Sequence, residues 1–480
     1  MKPTKNFMTR ALFKAIAAAL GAVAATTGAS AASPIPDLAY GGHGDGIARV
    51  TLTAVPADGG LAKHAIVEPD GRLVLIGSTT AASTLAQVVL ARLDVQGGLD
   101  TSFGPEHDGF YRTAFAGNAD DIQATIDDAF VYAAHGPGVD SVLFGRVHAD
   151  GTPDTDFAGT GQLQLAPESI GPGTQADITT LLPRPDGTLL ALGWVAGGTT
   201  YQNCAVRLLA DGSFDASFGM LGRACFAPDF SAGAFSRTFD GLVLADGRIR
   251  IAGYSKHNGG PSKDMSVAAL RASDDAALDT SFGPDHDGWA FVGFDTGSGN
   301  NDEAHAIAID PIGRIVLAGS AGGPNDNDDI AVARLLPDGE PDLAFGSQGR
   351  VEIALDLGFS NFDNAHSVAV LADGHILVGG TAYTSDVRIV GVAILLESDG
   401  TLDAHFGTGG IYVQAPPPSA QTAIVQSAQQ IVSGEFIYMV GTALNASGQL
   451  DFAVTRAVMP LFADGFDTPA PVVQRGWSIR

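Results

Sequence analysis

A short pattern, Asp-x-x-aromatic-Gly, recurs along the chain and constrains its fold more than any other feature. Successive copies begin 63, 54, 61, 64, 63 and 61 residues apart, which leaves no room for a separate domain before about residue 458. A fixed period of this size indicates a repeat architecture. The seven copies, of which the third ends in alanine, are Asp37–Gly41, Asp100–Gly104, Asp154–Ala158, Asp215–Gly219, Asp279–Gly283, Asp342–Gly346 and Asp403–Gly407.

Each unit also contains two reverse turns that frame apolar runs, such as Asp70-Gly71 before Leu73–Ile76. Asp-Gly between apolar runs is typical of a tight hairpin, because the turn needs positive φ angles. The run is apolar at consecutive positions, which predicts a strand buried on both faces. Roughly 60-residue repeats of four short strands predict an all-β, seven-bladed β-propeller, with residues 46–52 closing the ring against the last unit.

These residues resemble the delta-60 repeat family of exported bacterial proteins, whose unit has a Pro-Asp-Gly turn, an apolar run, an Ala-Arg strand and Asp-x-x-Phe-Gly. The resemblance covers about residues 37–458 and implies a β-propeller fold, but it implies no general activity. Where the family has lysine after the turn, this chain usually has arginine, threonine or histidine. The predicted organisation is a propeller domain at 32–458 followed by a C-terminal extension at 459–480.

Residues 1–31 have the order of a secretory signal peptide. Four basic residues between positions 2 and 14 precede an apolar run that ends in Ala29-Ser30-Ala31. We therefore expect export by the general secretory route to the periplasm or the extracellular space. No later segment approaches about 18 consecutive apolar residues, which predicts no membrane insertion.

The chain is strongly acidic, with 53 acidic and 26 basic residues among 480 and a net charge of −27. Such a charge repels nucleic acid and anionic lipid, so neither is an expected partner. The acidic residues are spread over loops and favour solubility, and we expect a monomer. The partner that the composition leaves open is a protein or a glycan.

Five arginines share a spacing that predicts a structural role. Each lies eight residues before the aspartate of the next repeat landmark, so we expect buried Arg–Asp pairs across a turn. In unit six Leu395 takes the place of the arginine, and Asp403 is expected to accept backbone hydrogen bonds instead. The five pairs are Arg92–Asp100, Arg146–Asp154, Arg207–Asp215, Arg271–Asp279 and Arg334–Asp342.

The candidate metal ligands are interpreted as variable residues of the repeat and not as a metal site. His64, His305 and His366 occupy similar places before the first turn of their units, and zinc would require them to converge. The acidic segments 284–288, 295–302 and 325–329 supply oxygen ligands of the kind that calcium takes, but none matches a known calcium loop. We therefore predict no metal and no cofactor, with calcium kept as the alternative.

The chain contains two cysteines, Cys204 and Cys225, which straddle one predicted hairpin connection. Export to an oxidising compartment makes them expected disulfide partners. The alternative is two buried thiols on different faces of the blade, because a one-residue shift in register would separate them.

No sequence motif identifies a reaction. A nucleophile elbow, a His-Glu-x-x-His zinc motif and a phosphate loop are all missing from the sequence, so no catalytic residue is assigned. The first hypothesis is a binding or scaffold propeller for a protein or glycan partner, and an enzyme is the less favoured reading. The alternative is a polysaccharide-acting hydrolase or lyase with its site at the central channel, since a carboxylate pair is defined in space.

Overall fold

The computed structural model describes residues 34–459 except for 53–58, 81–85, 199, 229–234, 257–261, 295–300, 324–327, 356, 359–361, 385–388, 415–423, 434–435 and 446–448. The predicted signal peptide and almost all of the predicted C-terminal extension lie outside these described residues. Among the described residues, no helix has the length and apolarity that crossing a membrane requires.

The described chain forms seven antiparallel sheets, each of which is one blade of a β-propeller. Two short strands, β1 (Ile35–Pro36) and β2 (Ile47–Val50), precede the first complete blade. Blade 1 consists of β3 (Gly59–Val67), β4 (Leu73–Thr80), β5 (Gln87–Leu93) and β6 (Phe110–Ala116). Blade 2 consists of β7 (Asn118–Ala124), β8 (Phe130–His135), β9 (Val142–Val147) and β10 (Gln162–Leu165). Blade 3 consists of β11 (Gln175–Pro183), β12 (Leu189–Gly197), β13 (Thr200–Leu208) and β14 (Arg223–Phe226).

The remaining blades repeat this order. Blade 4 consists of β15 (Ser236–Val243), β16 (Ile249–Lys256), β17 (Lys263–Leu270) and β18 (Trp289–Val292). Blade 5 consists of β19 (Glu303–Ile309), β20 (Ile315–Gly322), β21 (Asp328–Leu335) and β22 (Arg350–Ile353). Blade 6 consists of β23 (Asn364–Val370), β24 (Ile376–Tyr383), β25 (Ile389–Leu396) and β26 (Ile411–Val413). Blade 7 contains β27 (Ile424–Ser433), β28 (Phe436–Leu444) and β29 (Leu450–Val458).

The N-terminal strands complete blade 7 and close the ring. Strand β2 pairs antiparallel with β29 from Ile47 opposite Thr455 to Val50 opposite Phe452, and β1 pairs with the end of the same strand. The first strands of the blades contact one another in the order β3, β7, β11, β15, β19, β23, β27 and back to β3, so they surround the axis. The predicted closure by residues 46–52 is confirmed.

The second strand of each blade is buried on both faces, as its consecutive apolar residues predict. In β4, Leu73 and Leu75 pack into the core between blades 7 and 1, beside Phe452. The alternate residues Val74 and Ile76 pack into the core between blades 1 and 2. Side chains alternate across a strand, so an unbroken apolar run fills both cores at once.

The Asp-x-x-aromatic-Gly landmark links each blade to the next. It lies between the third and fourth strands, and its glycine donates a backbone hydrogen bond to the turn of the following blade, as Gly104 does to the carbonyl of Asp150 at 2.7 Å. The aromatic ring packs under the glycine of that turn, where a Cβ atom on Gly151 would come within 2.8 Å of Phe103. The repeated motif therefore forms an inter-blade clasp.

Four of the five predicted Arg–Asp pairs form within these clasps. Arg92–Asp100, Arg146–Asp154, Arg207–Asp215 and Arg334–Asp342 have Nε to Oδ2 distances of 2.8, 2.9, 2.7 and 2.8 Å, and their side chains are largely buried. In unit six, where leucine replaces arginine, Asp403 accepts the backbone amide of His405 at 2.9 Å, a bond that the other landmark aspartates also accept, and His375 Nε2 lies 3.8 Å from its Oδ2.

The predicted pair Arg271–Asp279 is wrong. Arg271 is exposed and pairs with Asp275, whereas Ala269 makes the backbone contacts that the arginine makes in other blades. The turn of unit four is two residues longer, so an eight-residue offset no longer identifies the equivalent position. Arg250, which lies opposite Ala269 in the register of β16 and β17, fills the space and places its guanidinium 4.6 Å from the centre of the Phe282 ring.

Cys204 and Cys225 lie directly opposite each other in β13 and β14, with a Cα separation of 4.1 Å, and the structure joins them in a disulfide. Gly171 covers the bond. A Cβ atom at Gly171 would lie 2.4 Å from the Cys225 sulfur, so only glycine leaves room there. Oxidation of these thiols stays a prediction for chemical test.

Candidate functional site

The two ends of the propeller differ in chemistry. One end, the clasp face, carries the turns between the first and second strands and the connections between the third and fourth strands, where the repeated landmarks lie. The other end, the loop face, carries the connections between the second and third strands and between successive blades. Because repeated hydrogen bonds occupy the clasp face, chemistry that varies from blade to blade is concentrated near the loop face.

The innermost strands of blades 1 to 6 have a β-bulge at the same position, and β27 of blade 7 is bulged as well. The six bulged residues of blades 1 to 6 lie around the axis. They lie seven residues before the first residue of the following turn, and the bulge redirects each side chain. Because the inner strands contact one another in a closed circle, the bulged residues surround the central channel. The six are Lys63, Asp120, Thr179, Phe239, His305 and His366.

Half of this ring is an aromatic wall. The rings of Phe239 and His305 meet edge to face with centroids 4.9 Å apart, and His305 stacks on His366 at 5.9 Å. His305 Nδ1 lies 2.9 Å from the Ala365 carbonyl oxygen and donates to it, which fixes its ring between blades 5 and 6. Blades 4, 5 and 6 therefore present one continuous aromatic surface to the channel.

His64 does not belong to this wall, and the expectation that it shares a place with His305 and His366 is wrong. It lies one residue beyond the bulge, and its Nδ1 atom is 2.8 Å from Oδ1 of Asp121 in blade 2. Asp121 in turn accepts a hydrogen bond from the Leu181 amide of blade 3 at 2.7 Å. His64 thus takes part in polar contacts that join the inner strands of blades 1, 2 and 3.

A second aromatic group extends the wall toward the loop face on blades 3 and 4. Tyr201 lies 5.4 Å from Trp194 and 4.3 Å from Phe235, measured between ring centroids. Arg237 lies over the Trp194 ring at 4.5 Å, and Lys263 lies over Tyr254 at 4.3 Å. Cations over π faces orient these rings and add positive charge at the channel mouth.

Two carboxylates and an imidazole meet on the other side of the mouth. Both oxygens of Asp120 approach Nδ1 of His135, at 2.8 and 2.9 Å, and Oδ1 of Asp177 lies 3.3 Å from the same nitrogen. Burial, together with the charge of Asp177, raises the pKa of Asp120 to about 8. Burial opposes the change in His135, but its contacts with both carboxylates raise its pKa to about 10. Despite burial, the contact with His135 holds the pKa of Asp177 below its usual value.

A polar cavity of about 300 Å³ opens beside the aromatic wall between blades 5 and 6. Its lining includes Glu303, which pairs with Lys263 at 2.6 Å and lies 3.4 Å from His305. Burial opposes the change, but these two partners lower the pKa of Glu303 to about 2. The mouth therefore combines fixed charges of both signs with aromatic faces.

The acidic segments considered for calcium are turn and connection residues where they are described. Asp287 accepts the backbone amide of Trp289 at 2.9 Å. Asp302 is buried and accepts the amides of Phe294 and Gly322. Residues 295–300 and 325–327 lie outside the described residues, so calcium binding by those segments stays an untested alternative.

Sequence reasoning missed Lys63, Asp120, His135, Asp177 and Phe239. A signal for the bulged residues was present, because the seven-residue offset from the first turn would have grouped Lys63, and not His64, with His305 and His366. His135 and Asp177 follow no such offset, and only the three-dimensional arrangement of blades 2 and 3 brings them together.

Four segments of the chain match the family model described as a domain of unknown function (DUF5122) beta-propeller. They are residues 68–103, 184–218, 313–345 and 371–406. The matched segments are β-propeller repeats. The narrower delta-60 assignment stays a prediction. No curated protein matches the chain in sequence.

Solved structures are similar to this chain in fold. The polysaccharide lyase Uly1 superposes with a TM-score of 0.50 at 9% identity, over 83% of this chain and 89% of the lyase. Drosophila Semaphorin 2a gives a TM-score of 0.49 at 8% identity, over 90% and 76% of the two chains. Sqt1 from Chaetomium thermophilum, bound to the N-terminus of the ribosomal protein L10, gives 0.42 at 12% identity, over 83% and 88%. At 9% identity, the likeness to the lyase shows the fold alone.

Proposed function

We propose that the chain is an exported β-propeller that binds a glycan at the loop-face mouth of its central channel. The observation that carries this proposal is the aromatic wall of Phe239, His305 and His366, which stands across the channel from Lys63 and Asp120. Aromatic surface with a few polar groups at fixed positions is the usual composition of a small-ligand site.

The chemistry of the mouth suits a sugar ring. The C–H groups on one side of a pyranose carry a small positive charge and pack on the negative face of an aromatic ring. Hydroxyl groups at the edge of the sugar need both donors and acceptors, which Lys63, Arg237, Asp177 and Glu303 supply. Strand bulges and not loops hold the wall, so the site is formed before the ligand arrives.

Export is part of the proposal. The N-terminal pattern of basic, apolar and small residues and the Cys204–Cys225 bond both fit an oxidising compartment, either the periplasm or the extracellular space. The sequence also leaves a protein partner open. The binding test distinguishes a protein ligand from a glycan.

The test is calorimetric titration of the purified exported protein with neutral and uronate-containing oligosaccharides. Replacing Phe239→Leu keeps an apolar side chain but removes the π face. We expect at least a several-fold loss of affinity, because an aromatic contact contributes about 0.5 to 1.5 kcal/mol beyond its buried area. His305→Gln should weaken binding in the same direction.

The matched control is Leu343→Ala, because Leu343 is 73% exposed within a landmark of the clasp face. Unchanged glycan affinity in this variant is expected. Loss of affinity in Leu343→Ala with wild-type affinity in Phe239→Leu would contradict a site at the mouth. Absence of glycan binding, with capture of a protein ligand that Phe239→Leu abolishes, would replace the glycan with a protein partner.

A second candidate is a polysaccharide hydrolase or lyase that uses the same mouth. The observation that favours it is the meeting of Asp120, Asp177 and His135 beside the channel, since carboxylates and imidazoles are the usual general acids and bases. A hydrolase would release reducing ends, and a lyase would release an unsaturated uronate that absorbs in the ultraviolet. Turnover that Asp120→Asn abolishes while binding persists would establish an enzyme.

A further inference from the structure

We propose that Asp120, His135 and Asp177 bind one divalent transition-metal ion of the zinc type. The three residues come from blades 2 and 3, and one ligand atom from each lies within 4.8 Å of the others. All three are held by strands: Asp120 at the bulge of β7, His135 at the end of β8 and Asp177 near the start of β11. The proposal does not rest on glycan binding, because the metal ion alone tests it.

More carboxylate oxygens surround His135 Nδ1 than one N–H group can bind. Three carboxylate oxygens lie within 3.3 Å of a single nitrogen, Nδ1 of His135, and one N–H group makes only one well-aligned hydrogen bond. Asp177 Oδ1 is buried, and its contact with His135 Nδ1 at 3.3 Å is not a well-aligned hydrogen bond. A buried carboxylate oxygen without a well-aligned hydrogen bond is costly, and a cation in place of the proton would satisfy all of these atoms.

The ligand types select the metal. Calcium takes six to eight oxygen ligands, so an imidazole among three ligands disfavours it. Zinc accepts imidazole nitrogen and carboxylate oxygen together, and three protein ligands leave a coordination position open. His135 is partly exposed, so the site would be accessible to solvent.

One neighbouring charge opposes the metal and gives a second way to test the site. Lys63 is the bulged residue of β3, the inner strand that contacts β7 and its bulged residue Asp120, so its ammonium would repel a cation bound there. Lys63 is exposed and contributes no ligand atom. Removing its charge in Lys63→Gln should therefore tighten metal binding several-fold, whereas a damaged fold would weaken it.

The experiment is calorimetric titration of untagged, chelator-treated protein with Zn²⁺, combined with the absorption spectrum of bound Co²⁺. We expect one ion per chain and a loss of at least tenfold in affinity for His135→Gln and Asp177→Asn. Circular dichroism checks that each variant is folded. The Co²⁺ ligand-field bands of the wild-type protein should be lost in both variants.

His375 is the matched control, because it forms the other cluster of this kind among the described residues, with Glu397 and Asp403 on the clasp face. His375→Gln should leave the affinity for Zn²⁺ unchanged. The proposal is overturned if wild-type protein binds no Zn²⁺, if binding follows His375 and not His135, or if Lys63→Gln binds more weakly than wild type.

Discussion

Arg456 and Asp37 lie 419 residues apart in the chain, yet their side chains form a hydrogen-bonded ion pair with Nε 2.9 Å from Oδ2. The same guanidinium lies 4.4 Å from the centre of the Tyr40 ring and donates to the carbonyl of Val95 in blade 1. The first landmark thus pairs with the arginine of the last blade. This one arginine joins the N-terminal segment, blade 7 and blade 1.

Replacing Arg456→Leu should lower the free energy of unfolding by about 1 to 3 kcal/mol, since the pair is only partly buried. Leucine is a natural occupant of the site, because Leu395 takes it in blade 6. Urea denaturation measures the effect. Arg112→Leu, which breaks a partly exposed pair with Asp108 within one blade, should cost less than about 1 kcal/mol. Equal effects of the two changes would contradict a closing role for Arg456.

Arg250 and Arg271 offer a contrast within unit four. Arg250 is 0% exposed and Asp279 beside it is buried, so Arg250→Ala should destabilise the fold by about 3 kcal/mol or more. Arg271→Ala should change stability by less than about 0.5 kcal/mol, because its side chain is exposed. Thermal and urea unfolding compare the two variants.

Moving the arginine across the sheet tests the register directly. The double variant Arg250→Ala with Ala269→Arg restores the arrangement of the other blades and should recover part of the lost stability. A double variant less stable than Arg250→Ala alone would show that the two positions do not share one site.

The Cys204–Cys225 bond should be present in protein produced in an oxidising compartment. Thiol titration of the denatured, unreduced chain is expected to find no free thiol, and two free thiols would contradict the bond. Replacing both cysteines by alanine should lower the free energy of unfolding by roughly 3 kcal/mol, the value expected for a closed loop of this length. Gly171→Ala should destabilise the oxidised protein, because the added Cβ collides with the Cys225 sulfur.

His366 should make the fold sensitive to mild acid. Burial, with the charges of His305 and Lys63, lowers the pKa of His366 to about 3, whereas an unfolded histidine titrates near 6.5. Between these values the unfolded chain binds a proton that the folded chain does not, so stability falls as the pH falls from 6.5 toward 3. His366→Gln should remove about 1 to 2 kcal/mol of the stability difference between pH 7 and pH 5. Parallel pH profiles for variant and wild type would contradict this.

The fold follows from the sequence because its determinants are local and repeated seven times. The turn glycines, the two-faced apolar runs and the landmark each recur at one spacing, so an irregular copy such as Asp154–Ala158 does not hide the period. The offset that paired Arg271 with Asp279 failed because unit four has two additional residues in this turn. Ala269, ten residues before Asp279, occupies the structural position, and Arg271 has the eight-residue spacing by coincidence.

The candidate site could not be predicted in the same way, because it depends on differences between blades. Asp120, His135 and Asp177 become neighbours only through the packing of β7, β8 and β11, which no single repeat encodes. The aromatic wall likewise needs three bulged residues in adjacent blades, and a bulge shifts the alternation of side chains by one residue. That shift is what made His64 resemble His305 and His366.

The most direct measurement of a glycan site at the loop-face mouth is a histidine-detected NMR titration with the best-bound oligosaccharide. The imidazole signals of His305 and His366 should shift and saturate together, while those of His375 and His405 on the clasp face stay fixed. Unchanged His305 and His366 signals at saturating glycan, or shifts confined to His375 and His405, would contradict the site.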